Sequence, residues 1–232
     1  MKFEIIKTDK KARAGLITLN ENEVETPTFM PVATRGTIKS TPHEYLDKTS
    51  ILLANAYHLH LRPGAEIINN HGGLHKFMNW DKLILTDSGG FQAWSLPTKL
   101  YEDGIEFKNV YDGSYFKLTP QDSIKTQNLL GSDIAMIFDY LISVDKPDEE
   151  QKKAIEITKQ WATICKEIHN NSSQSLFGIV QGGLNLDLRA ESAESMINLN
   201  FDGYAIGGLA IGETQLERKS VVDFLSEVLP ID

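Results

Sequence analysis

The chain has 232 residues, 41% of them hydrophobic, a length that suits one large α/β domain or two small ones and needs no covalent staples. Its single cysteine, Cys165, excludes an internal disulfide and a multi-cysteine metal cluster within this chain. The net charge of −9, from 23 basic and 32 acidic residues, argues weakly against nucleic-acid binding without excluding it, since basic charge can be local or part of the binding surface can lie outside this chain. No apolar run is long enough to span a bilayer, and the start, Met1-Lys2-Phe3-Glu4, is not a signal peptide, so a soluble cytoplasmic protein is expected.

In chain order, Phe3 to Lys7 and Gly15 to Leu19 read as an antiparallel pair joined by a charged turn that holds Lys10, Lys11 and Arg13. Short apolar runs then alternate with amphipathic helices, the pattern of βα units around a parallel sheet. The runs are Thr28–Ala33, Ile51–Ala54, Leu83–Thr86, Ile134–Phe138, Leu176–Val180 and Gly203–Ile206. Thr41-Pro42-His43-Glu44 and Thr119-Pro120-Gln121-Asp122 each place a hydroxyl at an N-cap, proline at the first helical position and an acid two residues further on. Pro147-Asp148-Glu149-Glu150 opens a long helix with acids that suit its N-terminal dipole. Ile105 to Leu118 breaks the alternation with the turn Tyr111-Asp112-Gly113-Ser114, so an inserted hairpin is expected there. Cys165 falls in the helical pattern Ile155, Ile157, Trp161, Ile164, Ile168, which makes it a buried, inert thiol.

The residues at the ends of these runs carry the functional signal. Asn55, Asp87, Asp139, Gln181 and Gly207-Gly208 come directly after successive apolar runs. One polar residue often merely ends a strand. In a parallel barrel, however, ligands bind at the C-terminal strand ends, so such a series describes one convergent site. A doubly wound open sheet is the alternative, with a site at a single switch point. Thr86-Asp87-Ser88-Gly89-Gly90-Phe91-Gln92 is the richest stretch. It brings a carboxylate, backbone N–H groups and an aromatic ring together, as a small planar ligand requires.

These residues resemble the tRNA-guanine transglycosylases, or queuine tRNA-ribosyltransferases. The resemblance rests on Asp87-Ser88-Gly89-Gly90-Phe91-Gln92, Phe138-Asp139, Gly178-Ile179-Val180-Gln181-Gly182 and Gly207-Gly208-Leu209-Ala210-Ile211-Gly212-Glu213. Asn55-Ala56-Tyr57-His58-Leu59, Leu61-Arg62-Pro63-Gly64 and Thr26-Pro27-Thr28-Phe29-Met30-Pro31-Val32 add to it. It implies a TIM (β/α)8-type barrel and exchange of the wobble guanine of certain tRNAs for a 7-deazaguanine. Asp87 would then handle the proton of the base, and Asp139 would accept hydrogen bonds from the ring N–H and the exocyclic amine. Gln181 and the Gly208 N–H would meet the ring carbonyl, and Phe91 would stack on the ring. Ser88, Gly89 and Gly90 would complete the base-binding loop. A guanine edge offers two adjacent donors and one acceptor, which a carboxylate beside an amide donor complements.

The resemblance also implies departures. With six strand candidates, residues 1–232 are expected to be a single barrel domain truncated after about six strands. The family's aspartate nucleophile, and the zinc ligands of its zinc-binding subdomain, have no counterpart here. That leaves three readings: a piece of a transglycosylase, half of a split enzyme completed by a C-terminal polypeptide, or a non-catalytic purine-binding or accessory subunit. The expected partners are tRNA and guanine or a deazaguanine, with a homodimer as a further option. Tyr140-Leu141 stands where bacterial members usually carry Glu-Cys, and Ile211 suggests a tight pocket that suits the smaller aminomethyl-deazaguanine. A phosphate-binding barrel enzyme would use Gly207-Gly208 but leaves Asp139 and Gln181 unexplained. Among the histidines, His58 and His60 alternate as on an extended segment, and His71 and His75 flank Gly72-Gly73, which spoils a helix. No metal site is expected from them. Trp80 and Trp94 bracket the Asp87 segment and are expected to pack, with stacking on a ligand as the second reading.

Overall fold

The computed structural model describes residues 1–231. The N-terminal pair is the first part of a three-stranded antiparallel meander, β1 (Lys2–Asp9), β2 (Ala12–Leu19) and β3 (Asn22–Thr26). Only Val24 of β3 is buried, so the strand leaves no hydrophobic pattern in the sequence. In the basic turn Lys11 pairs with Glu227, and Arg13 donates to Ile231 O at 3.2 Å.

The chain continues through β4 (Ile51–Asn55), α1 (Ala56–Leu61), α2 (Ala65–Asn70), α3 (Gly73–Met78), β5 (Leu83–Asp87) and α4 (Gly90–Ser95). An insert follows, made of β6 (Thr98–Tyr101), β7 (Gly104–Lys108) and β8 (Tyr115–Leu118). Then come α5 (Pro120–Leu130), β9 (Ile134–Met136), α6 (Asp148–Ile168), β10 (Ser175–Val180), α7 (Leu186–Asn198), β11 (Gly203–Ile206) and α8 (Gln215–Val228). No helix of the described residues is long and apolar enough to cross a membrane.

Strands β4, β5, β9, β10 and β11 form one five-stranded sheet in the order β11-β10-β9-β5-β4, with every neighbouring pair parallel. Spatial order follows chain order without a reversal. A doubly wound sheet reverses at its switch point, so that alternative falls. The expected strand Thr28–Ala33 is corrected to a single parallel bridge from Val32 to Leu53. Ala33 N–H donates to Leu53 O at 2.7 Å and Leu53 N–H to Pro31 O at 3.0 Å. Pro27 and Pro31 have no N–H with which to extend that ladder.

Three other local expectations change. Thr41-Pro42 starts only a 3-10 turn, His43–Tyr45, because Leu46 is the one buried residue of the neighbourhood and gives a longer helix no face to bury. His58 and His60 lie in helix α1, not an extended segment, because the Asn55 side chain caps it by accepting from His58 N–H at 3.2 Å. The inserted hairpin gains a first strand, β6, which is too exposed to be read from hydrophobicity. Thr119 is the expected N-cap and forms a capping box with Asp122, and α6 opens on its three acids.

Helix α6 packs Trp161 against Phe138 with ring centroids 5.1 Å apart, and the Trp161 indole N–H donates to Glu102 O of the insert at 3.1 Å. Trp80 is buried, donating to Leu83 O, whereas Trp94 is partly exposed. At the N-terminal strand ends Asp133 accepts from Ile84 N–H (2.8 Å), Asn20 (2.9 Å) and His75 (3.0 Å), which ties the meander and α3 to the sheet. The opposite, C-terminal strand ends are left for the site.

Candidate functional site

Parallel pairing sets Asn55 and Asp87 side by side at the ends of β4 and β5. The Asn55 amide N–H2 donates to Asp87 Oδ2 at 3.2 Å and to Gln92 Oε1 at 3.1 Å. After Asp87 the chain turns at once into α4. Gly89 makes that turn at φ +102°, a conformation that strains side-chain-bearing residues. Ser88 is buried and its carbonyl accepts from Ser123 Oγ at 2.9 Å, so this serine anchors the turn to α5.

Asp139 lies three residues beyond β9 and is buried. Its Oδ2 accepts from the Gln181 side-chain N–H2 at 2.6 Å. Its other side rests on Gly90, where a Cβ would sit only 2.0 Å from Asp139 Oδ1. Gly90 therefore serves close approach to a carboxylate of the protein itself. Gln181 packs against Gly207 and Gly208, where added Cβ atoms would meet its amide at 2.7 and 2.5 Å. Gly208 also has φ +65°.

Asp87, Phe91, Asp139, Gln181, Gly207 and Gly208 line one cavity of about 380 Å³. Ser88, Gly89 and Gly90, expected in the base-binding loop, do not line it, because they turn the chain into α4 and pack on α5 and Asp139. Phe91 is 45% exposed and lies beside Trp94, 5.5 Å away between centroids. Below the polar groups the walls are apolar, from Leu53, Leu85, Met136 and Phe177 on the sheet. Leu141 and Ile211, both singled out in the sequence, also line it.

Glu213 holds the loop after β11. It accepts from Ala210 N–H (2.6 Å), Ile211 N–H (3.1 Å) and Arg218 Nε (2.6 Å). Burial opposes its charge, but Arg218 and those backbone donors prevail and hold it at about 2. Burial raises Asp139 to about 7, reinforced by the charge of Asp87 and opposed by the Gln181 hydrogen bond. Burial raises Asp87 as well, against the backbone N–H groups of Ser88 and Gly89. Two carboxylates in one cavity resist being charged together, which suits the pair to share a proton.

Two residues near the strand ends leave little trace in the sequence. Asn55 is legible there as a strand end but not as the partner of Asp87. Arg189 gives no signal beyond its place in an amphipathic helix.

The model of the queuine tRNA-ribosyltransferase family matches residues 8–232. The chain belongs to that family. It is 46% identical over 236 residues to a queuine tRNA-ribosyltransferase of Thioalkalivibrio sulfidiphilus, with all of this chain and 64% of the relative covered. It is 48% identical over 239 residues to the enzyme so named in Caldanaerobacter subterraneus, again covering all of this chain and 64% of the relative. The Acinetobacter baylyi relative is 46% identical, with 62% of its length covered. The chain thus spans less than two thirds of these queuine tRNA-ribosyltransferases.

The zinc implied by the family resemblance does not fit the residues present. Among the described residues no three His, Cys, Asp or Glu side chains are grouped to hold a metal ion. Cys165 is enclosed, accepts from Phe138 N–H at 3.3 Å, and is pushed by burial up to about 12, as an inert thiol would be.

Proposed function

We propose that these residues are the base-binding part of a tRNA-guanine transglycosylase, which exchanges the wobble guanine of certain tRNAs for a 7-deazaguanine. The observation that carries this reading is the hydrogen-bonded pair Asp139–Gln181 in one cavity with Asp87 and Phe91. Ionised Asp139 accepts from the ring N–H and the exocyclic amine of the base. The Gln181 amide has two N–H bonds; one goes to Asp139 and the second is available for the ring carbonyl, beside the Gly208 N–H. Phe91 stacks on the ring, and Asp87 takes or returns the proton of the base. Ser88, Gly89 and Gly90 position these groups. The pocket walls Leu141 and Ile211 favour a small deazaguanine.

In this reading residues 1–232 are one incomplete (β/α)8-type barrel domain. The apolar inner face of the sheet at Leu53, Leu85, Met136 and Phe177 is the barrel interior. Displacement of the base passes through a covalent ribosyl-enzyme intermediate and needs a nucleophile. That aspartate, the zinc site and the remaining strands belong to the further length that the relatives have, supplied in the same chain or by a complementing C-terminal polypeptide. Homodimerisation would also draw on that length.

The test is incorporation of labelled guanine into a cognate tRNA. We expect none with the 232 residues alone and clear exchange once the remaining third is joined or added. Robust exchange by the 232 residues would overturn the assignment and make Asp87 or Asp139 the nucleophile. Purine binding without exchange in the completed protein would support an accessory subunit.

The raised carboxylates predict a pH dependence. Only ionised Asp139 accepts both hydrogen bonds, so guanine affinity should fall roughly tenfold from pH 8 to pH 6, across its value of about 7. Stability should move the other way. Asp139 ordinarily titrates near 4 when unfolded, so between about pH 4 and 7 the folded state binds more protons, and stability falls as pH rises. Calorimetric titration and thermal unfolding over pH 5–8 check both trends.

A further inference from the structure

We propose that Arg189 is a positioning residue for the base site: its guanidinium fixes and polarises the Gly207–Gly208 peptide so that the Gly208 N–H becomes a strong donor to the oxo group of a bound purine. This rests on the base-site reading. Arg189 projects from the first turn of α7 and is fully buried. Its Nη1 donates to Gly207 O at 2.7 Å and to Val180 O at 2.8 Å, and its Nε donates to Gly183 O at 2.9 Å. One fork therefore clasps the ends of β10 and β11 and the turn that leads into α7. Ser192, one turn on, accepts from Gln181 N–H at 3.0 Å, so the same helix supports both expected partners of the purine oxygen.

A need to tie strand ends together does not explain a charge there. Nη2 is buried without a hydrogen-bond partner. It lies 3.5 Å from where a Cβ on Gly208 would be, next to the peptide in question. A buried cation satisfied mainly by carbonyls is costly, and it draws electron density from the peptides it touches. For the Gly207–Gly208 peptide the consequence is a more acidic N–H on Gly208. No hydrogen bond to that N–H occurs among the described residues, so it is available to a ligand. Burial lowers Arg189 to about 10, which leaves it charged at neutral pH.

The experiment compares guanine with 6-thioguanine, which keeps the ring N–H and the amine but presents a weaker acceptor. The parent should prefer guanine. Arg189→Met should cut that preference at least about fivefold, and Arg189→Lys, which keeps the charge, should restore part of it. An equal loss of affinity for both bases would mean a merely structural role and would overturn the proposal. Asp139→Asn reports separately on the base-site reading, since it should weaken both bases. The Gly208 amide proton, read by NMR without ligand, keeps the inference testable if no purine binds. It should move upfield in Arg189→Met and less in Arg189→Lys; an unmoved resonance would overturn the inference.

Discussion

Asp139→Ala should bind guanine about 30-fold or more weakly than the parent. The substitution removes the acceptor for two donors of the base and strips Gln181 of its 2.6 Å partner. Losing a charged hydrogen-bond partner in a buried site costs about 2–4 kcal/mol, which is roughly 30- to 1,000-fold in affinity. The fold itself should tolerate the change. Asp139 is held at about 7 by burial, so at pH 8 it is a buried charge whose removal relieves strain on the folded state. Calorimetry and thermal unfolding at pH 8 together should show weaker binding without a lower melting temperature. Equal affinity in parent and variant would reject the role given to Asp139.

Gly90→Ala should damage the site as severely by a different route. Gly90 opens α4 with φ outside the left-handed region, so its backbone accepts alanine. The added methyl would nevertheless lie 2.0 Å from Asp139 Oδ1 and 3.0 Å from the Asp139 carbonyl oxygen. The carboxylate must swing away or α4 must shift, and overpacking of this kind costs about 1–3 kcal/mol. We expect guanine binding to fall more than tenfold and the melting temperature to drop by several degrees. Gly131→Ala is a useful control, because nothing lies within 4 Å of the added Cβ, although its φ of +65° carries a backbone cost. Wild-type binding by Gly90→Ala would mean that Asp139 is not held where it is described.

The strand ends are legible in the sequence because burial makes each parallel strand a short apolar run, so the first polar residue after it marks the C-terminal edge. That logic brings Asn55, Asp87, Asp139, Gln181 and Gly208 to one end of the sheet. It fails where burial is one-sided or absent. Strand β3 buries only Val24, and β6 buries nothing, so neither leaves a period to read. Thr28–Ala33 has the composition of a strand but two neighbouring prolines, Pro27 and Pro31, that deny it a ladder. In the sequence Gly90 reads as room for the ligand, whereas the atom it admits belongs to Asp139. Arg189 is invisible because arginine at a core position of an amphipathic helix looks like a surface residue until the carbonyls it meets are known.

Whether Asp139 and Gln181 read the edge of a guanine-like base at the C-terminal strand ends is decided by a crystal structure of this chain soaked with guanine. The base should lie in the cavity with one face on Phe91, its ring N–H and amine on Asp139, and its oxygen towards Gln181 and the Gly208 N–H. Guanine bound elsewhere, or in this cavity with its amine turned away from Asp139, would contradict that role.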